Sequence, residues 1–303
     1  MLGYNLADLI IKRLRVSGFN SSIIENETFT DNMTVKGFMV DQMEFHTYEI
    51  QSNSHFTIEV NKEDYCKALI TDFYKCKVRI EEQKKSIEVL LANKSQIAWV
   101  LVSMYYCCFF IANEISKLYG EFITNFSEDN MLYILSEANY GDAIGFTQYI
   151  ESYNSYKVEV CQSDYENLLL LKFIKSSPKP HSVVWNNLKK ITSKLKIKED
   201  ASLFHHYSLL IAIIGNDRGW DSPSKIRNDW NYTHADLYGE KGSRLGKNFL
   251  KNANSRQAAF SWANSRKISP HEENKVASIA YLYYVLLEAY ERFSEVLESK
   301  SSN

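Results

Sequence analysis

From Ile97 to Ala112 the chain reads Ile-Ala-Trp-Val-Leu-Val-Ser-Met-Tyr-Tyr-Cys-Cys-Phe-Phe-Ile-Ala, apolar almost without a break. A helix with no polar face has nothing to offer water, so whatever this sequence folds into must surround that stretch with other elements. It is slightly short for a bilayer span and carries Ser103, Tyr105 and Tyr106, so the reading preferred over a membrane-attached regulator is the central helix of a bundle. Such a helix can be buried in its own core and also against a partner subunit. With 303 residues, 45% hydrophobic and 14% aromatic, the chain can bury one large core or two smaller ones.

The first sixty residues differ from the rest of the chain. After a short helix or strand at Leu6 to Val16, three runs alternate apolar and polar side chains: Thr34 to Val40, Glu44 to Ile50 and His55 to Val60. That period of two predicts a small antiparallel sheet. His46 and His55 read as ordinary strand residues. From Lys62 the period becomes helical, through Tyr65, Leu69, Phe73, Ile80 and Ile87 into the apolar stretch. The expected domains are thus a β-rich region at 1–61 and a helical domain at 62–303, interrupted by an insertion at about 127–165. In that insertion Phe146 to Ser152 and Tyr156 to Cys161 flank Tyr153-Asn-Ser as the arms of a β-hairpin would. It either recognises something or pads the bundle, and the residues leave both readings open.

Helical text resumes at Tyr165 to Ile174, stops at Ser176-Ser-Pro-Lys-Pro180, and restarts through Val183, Val184, Leu188, Ile191 and Leu195. Phe204 to Ile214 forms another apolar helix. Its adjacent His205 and His206 point about 100° apart and cannot easily grip one metal together. Ser222 as N-cap, Pro223 at the first helical position and Gly239 as terminator predict a helix of roughly four turns. Ile226, Trp230, Thr233 and Leu237 form its buried stripe, and Arg227, Asn231, His234 and Tyr238 an adjacent one. The last helix begins at Ser269-Pro270-His271-Glu272 and carries Val276, Ile279, Ala280, Tyr283, Leu286, Leu287, Tyr290 and Phe293 on its apolar side.

Arg227 and His234 are the pair that carries chemistry. Cleaving RNA without a metal needs a group of near-neutral pKa to move the 2′-hydroxyl proton and a fixed cation to offset charge growing on phosphorus. Arg227, Asn228 and His234, an Arg followed by Asn and then by His seven residues after the Arg, resemble the Arg-x(4–6)-His signature of the HEPN (higher eukaryotes and prokaryotes nucleotide-binding) ribonucleases. The Ser103, Tyr105, Tyr106 and Phe109 stretch is similar to the early core helix of those domains. The resemblance covers about residues 62–303, with its specificity at Arg227, Asn228 and His234.

The resemblance implies a mainly α HEPN-like helical bundle, to which this chain adds the N-terminal β-sheet and the inserted β-hairpin. It implies an endoribonuclease that leaves 2′,3′-cyclic phosphate and 5′-hydroxyl ends, with His234 as base, Arg227 facing the phosphorane and Asn228 fixing geometry. Family members are typically homodimers, so two histidines can divide the acid and base roles, and they commonly act on transfer or messenger RNA in toxin–antitoxin or anti-phage defence. In the branch silenced by a nucleotidyltransferase partner a Tyr lies two residues after the His. Here that position is Asp236, and Tyr238 lies four after, so that form of control is not implied.

The net charge of −2 gives no global pull on nucleic acid. Local intervals do lack acids, and the one after Glu240 holds Lys241, Arg244 and Lys247. Read as a flexible basic loop, it joins Asn231 and Tyr238 as candidate RNA contacts. Gly242 to Asn248 has the outline of a phosphate loop but the wrong glycine spacing, Asn in place of Ser/Thr after the Lys, and no strand before it. No motif asks for a cofactor or a metal. The five cysteines form no paired framework and read as reduced thiols of a cytoplasmic protein. The competing reading is a non-catalytic helical module that keeps the fold to dimerise or to bind a nucleotide or RNA.

Overall fold

A computed structural model of the chain describes residues 1–19, 34–42, 47–52, 54–93, 97–137, 153–176, 180–197, 200–233, 240–265 and 268–298. The described residues are mainly helical with one small antiparallel sheet. They fall into two compact units, one built from Met1–Leu9, Lys77–Asn113 and Trp185–Glu295, the other from Ile10–Cys76, Glu114–Val184 and Val296–Asn303.

The second unit holds the sheet. Its strands are β1 (Thr47–Ser52), β2 (His55–Asn61), β3 (Glu121–Ser127), β4 (Tyr153–Gln162) and β5 (Leu168–Lys175), in the order β1-β2-β5-β4-β3. The N-terminal strands and Tyr156 to Cys161, expected in separate pieces, are therefore in one sheet, because β5 pairs with β2 on one side and with β4 on the other; the other expected arm of the hairpin, Phe146 to Ser152, lies outside the described residues. One row of inward side chains crosses four strands as Phe56, Phe173, Val158 and Phe122, and the next carries Ile58, Leu171 and Val160. Phe56 and Phe173 stack at 4.4 Å. These residues are buried while Lys172, opposite Thr57 and Glu159, is exposed, the one-sided burial of an antiparallel sheet packed on a core.

Three local expectations fail in this unit. Thr34 to Val40 is not a strand. The Thr34 hydroxyl accepts from the Gly37 N–H at 3.0 Å and caps α2 (Val35–Gly37), which runs on into a wide i→i+5 turn at Phe38–Gln42. Tyr153-Asn-Ser is not a hairpin tip but the start of β4, which pairs with β3 on one side and β5 on the other; 138–152 lies outside the described residues. Tyr165 to Ile174 is not helical: Leu168 to Lys175 is β5, with Leu169, Leu171 and Phe173 inward.

Of the helices, α1 (Leu2–Val16), α3 (Lys62–Asn93) and α4 (Ile97–Tyr119) have residues in both units. α4 contains the apolar stretch. By length and composition alone it could cross a bilayer, yet more than half of its most apolar window is buried within the protein. α5 (Glu128–Glu137) follows β3, and α6 (Pro180–Thr192) leads into the first unit. That unit continues with α7 (Ala201–Gly215), α8 (Pro223–Asn228), α9 (Glu240–Ala253), α10 (Arg256–Ala263) and α11 (Glu272–Glu298).

α11 buries every one of its eight expected stripe residues. It begins at Glu272, two residues later than the Ser-Pro signal suggests, because the Ser269 carbonyl is taken by the His271 N–H and the Asn274 side chain. α9 corrects the expectation of a basic loop after Glu240. Gly246 sits so close to Ile97 that a Cβ there would lie 2.9 Å from its Cγ2. A glycine that weakens a helix in isolation is here what lets α9 dock on the first turn of α4.

Candidate functional site

The candidate site lies in the first unit, where α8 meets the middle of α4. The entry to α8 is as its sequence predicts. Ser222 accepts from the Lys225 N–H at 3.3 Å, and Pro223 occupies the first turn. Asp221, just before the cap, receives the Lys225 ammonium at 2.7 Å and that of Lys275, from α11, at 3.1 Å. Burial alone would push the Asp221 pKa up; the two lysines outweigh it and hold the carboxyl below its ordinary value. A depressed carboxylate stabilises the fold above its unfolded pKa and loses that contribution as pH falls through the folded value. Asp221→Asn is therefore expected to cost about 1 kcal/mol at neutral pH and progressively less in acid. Denaturant titrations of both proteins across that range measure the difference; an undiminished gap in strong acid would refute the ion-pair account.

α8 does not continue as one regular helix to Gly239. Its α-turns end at Asn228 and a wide i→i+5 turn follows at Asp229–Thr233. In an α-helix five residues sweep about 500°, which would leave Tyr232 about 140° round from Arg227. The wider turn closes that gap. Arg227 and Tyr232 become neighbours, with the guanidinium carbon over the Tyr232 ring at 5.8 Å. On the other side α4 presents Tyr105 and Tyr106, whose ring centres lie 5.1 and 5.4 Å from the same carbon.

Arg227, expected on the stripe beside the buried one, is thus itself buried. It is only 7% exposed, and its Nε has no hydrogen-bond acceptor among the described residues. Among the described residues three tyrosine rings lie against it. Ring faces attract a cation by about 0.5–2 kcal/mol each, more when water is excluded. They do not replace the oxygen acceptors that a guanidinium fork ordinarily finds. A buried guanidinium whose Nε finds no acceptor among the described residues keeps a donor for an incoming phosphate.

The floor under Arg227 is itself braced. Tyr105 is fully buried, its hydroxyl 3.3 Å from Ser224 Oγ on α8 and within 3.5 Å of the Trp185 Nε1–H on α6. Tyr105, Phe109 and Trp185 form a ring cluster at 5.9 to 6.4 Å. The Ser-x-Tyr-Tyr stretch of α4 and the Arg of α8, more than a hundred residues apart, are thereby brought together.

The other expected site residues are spread around this centre. Asn228 is exposed at the end of α8, and Asn231 is half-buried in the wide turn. His234 and Tyr238 lie outside the described residues. Lys241 is in the first turn of α9, with its side chain outside the description. Arg244 and Lys247 are exposed on the side of α9 away from buried Leu245 and Phe249, and Arg244 lies 3.5 Å from Glu273. Spacing does not single out Tyr232, since the wide turn that brings it to Arg227 leaves no mark in a helical period.

His205 and His206 are structural. His205 Nε2 lies 2.8 Å from the Ala263 carbonyl. His206 places its two ring nitrogens 3.1 Å from the Tyr281 hydroxyl and 2.9 Å from Asn264 Oδ1. Burial lowers the His206 pKa, the Asn264 contact only partly opposing it. Among the described residues no group of three His, Cys, Asp or Glu side chains is placed to share a metal ion. No disulfide joins the cysteines, and burial pushes the thiols of Cys66 and Cys107 up to about 12, which disfavours the thiolate at both.

No family model, curated protein or solved structure matches the chain.

Proposed function

We propose that the chain is a metal-independent endoribonuclease of the HEPN kind, cleaving RNA by attack of the 2′-hydroxyl on the adjacent phosphodiester. The observation that carries this reading is Arg227: a guanidinium nine-tenths buried, seated on two tyrosines of the central helix, with Nε lacking an acceptor among the described residues. Such a group is preorganised for a charge that arrives with the substrate and grows in the transition state. Asn228, exposed beside it, supplies a hydrogen-bonding amide. His234, seven residues on in sequence, supplies the ring that takes the 2′-hydroxyl proton. The oxygen of that hydroxyl then bonds to phosphorus, the bond to the 5′-oxygen breaks, and a proton returned to that oxygen completes the transfer. The products are a 2′,3′-cyclic phosphate and a 5′-hydroxyl.

In this proposal a homodimer supplies a second His234 as the acid, and the setting is a cytoplasmic toxin or anti-phage effector acting on single-stranded or transfer RNA, alone or under an antitoxin or sensor protein. Arg244 and Lys247, with Lys241 before them, offer positive charge to the backbone.

End-group analysis of RNA incubated with the purified chain in EDTA tests the reading. Cyclic-phosphate and 5′-hydroxyl ends are expected. Arg227→Lys keeps the charge but not the plane that lies against the rings, and is expected to lose tenfold or more in rate, Arg227→Ala about 10²–10³. RNA bound but left intact would make the chain a binding module instead.

A further inference from the structure

Tyr232 stands apart from the other large apolar side chains of the site. It is 74% exposed, whereas Trp230 and Ile226 beside it are buried. One face of its ring is turned to the Arg227 guanidinium, and its exposure leaves the other face to water. A flat ring in water backed by a buried guanidinium combines the two features used by proteins that hold unpaired strands: a surface on which a base can stack and a positive charge for the backbone attached to it.

We propose that Tyr232 is a stacking platform for one unpaired nucleobase, and that this platform makes the Arg227 site select single-stranded RNA over duplex. A base laid on the outer face of the ring carries its own phosphodiester into the neighbourhood of the guanidinium. Every base has a π-face, so the contact tolerates sequence. A paired base has both faces covered by its neighbours in the helix and can reach the ring only after unstacking, which costs a few kcal/mol. Selection therefore follows from geometry with no hydrogen bond to a base edge. The identity of the ligand as RNA rests on the function proposed above; the platform rests on the exposure of Tyr232 and its contact with Arg227.

Binding separates this inference from cleavage. The probe is a fluorescein-labelled 2′-O-methyl RNA of about twelve nucleotides, which has no 2′-hydroxyl nucleophile, used as a single strand and as a duplex with its complement. Anisotropy titrations with the full-length chain are expected to show tighter binding of the single strand. Tyr232→Ala is expected to weaken that binding about tenfold or more, Tyr232→Phe to preserve it, and both to leave duplex binding unchanged. Equal loss with single strand and duplex, unchanged affinity in Tyr232→Ala, or adenosine monophosphate binding as tightly as the oligomer would overturn the platform. Tighter binding by Tyr232→Ala would also overturn it, making the ring a cover over Arg227. If the ring dependence holds and ordinary RNA is not cleaved, the platform stands and the nuclease reading falls. If RNA is cleaved and Tyr232→Ala binds the single strand normally, only the platform falls.

Discussion

In EDTA, His234→Ala is expected to cut RNA about 10²–10⁴-fold more slowly than the wild-type chain, the usual range for removing a positioned proton-transfer group. The substitution removes the proposed proton-transfer ring and leaves Arg227 on its tyrosine floor, so RNA affinity should change far less than the rate. Single-turnover rates with saturating enzyme, beside anisotropy titrations on an uncleavable strand, separate the two quantities. A variant that cleaves as fast as the wild type would remove His234 from the mechanism. A variant that loses binding and rate in equal measure would make it a binding residue. Because two copies are proposed to share the acid and base roles, mixing His234→Ala with Arg227→Ala should restore part of the activity if each site draws on both chains.

The largest expected loss of stability comes from Tyr105. Its ring is fully buried between Phe109, Trp185 and Arg227. Truncation to Ala should cost about 3–5 kcal/mol through lost burial and the cavity left behind, a fall in Tm on the order of 10 °C. The functional consequence is distinct. Well below the new Tm the guanidinium lacks its principal ring, so cleavage should fall while the fold persists. Tyr105→Phe is the control. It keeps the ring and removes only the hydroxyl near Ser224 and Trp185, so it should lose about 1 kcal/mol and little rate. Equal rate losses in the Phe and Ala variants would show that the hydroxyl, rather than the ring under Arg227, matters to the reaction.

Several elements are readable from residues alone because their signals are local. The stripe of α11, the cap and proline of α8, and the unbroken apolar run of α4 each require the conformation that the chain adopts. Other elements escape such a reading for a common reason. Leu168-Leu-Leu-Leu has no period to separate a buried strand from a buried helix, and only its pairing with β2 and β4 decides. The glycines of Glu240 to Ala253 argue against a helix until Ile97 is seen to need the space at Gly246.

The same division runs through the candidate site. Sequence determined which groups are present: an Arg and a His seven residues apart, an Asn after the Arg, and a tyrosine pair on a helix apolar on nearly every side. Spacing also put Arg227 on a stripe beside the buried one and in line with Asn231, since a fixed period of 3.6 residues assumes a helix that does not change its turn. The wide turn at Asp229–Thr233 breaks that assumption. Tertiary structure alone decided that the guanidinium is buried, that Tyr105 and Tyr106 carry it, and that Tyr232 stands over it. The physical reason is that a charge takes its environment from whatever packs around it, and here two of those three rings come from a helix more than a hundred residues away in the chain.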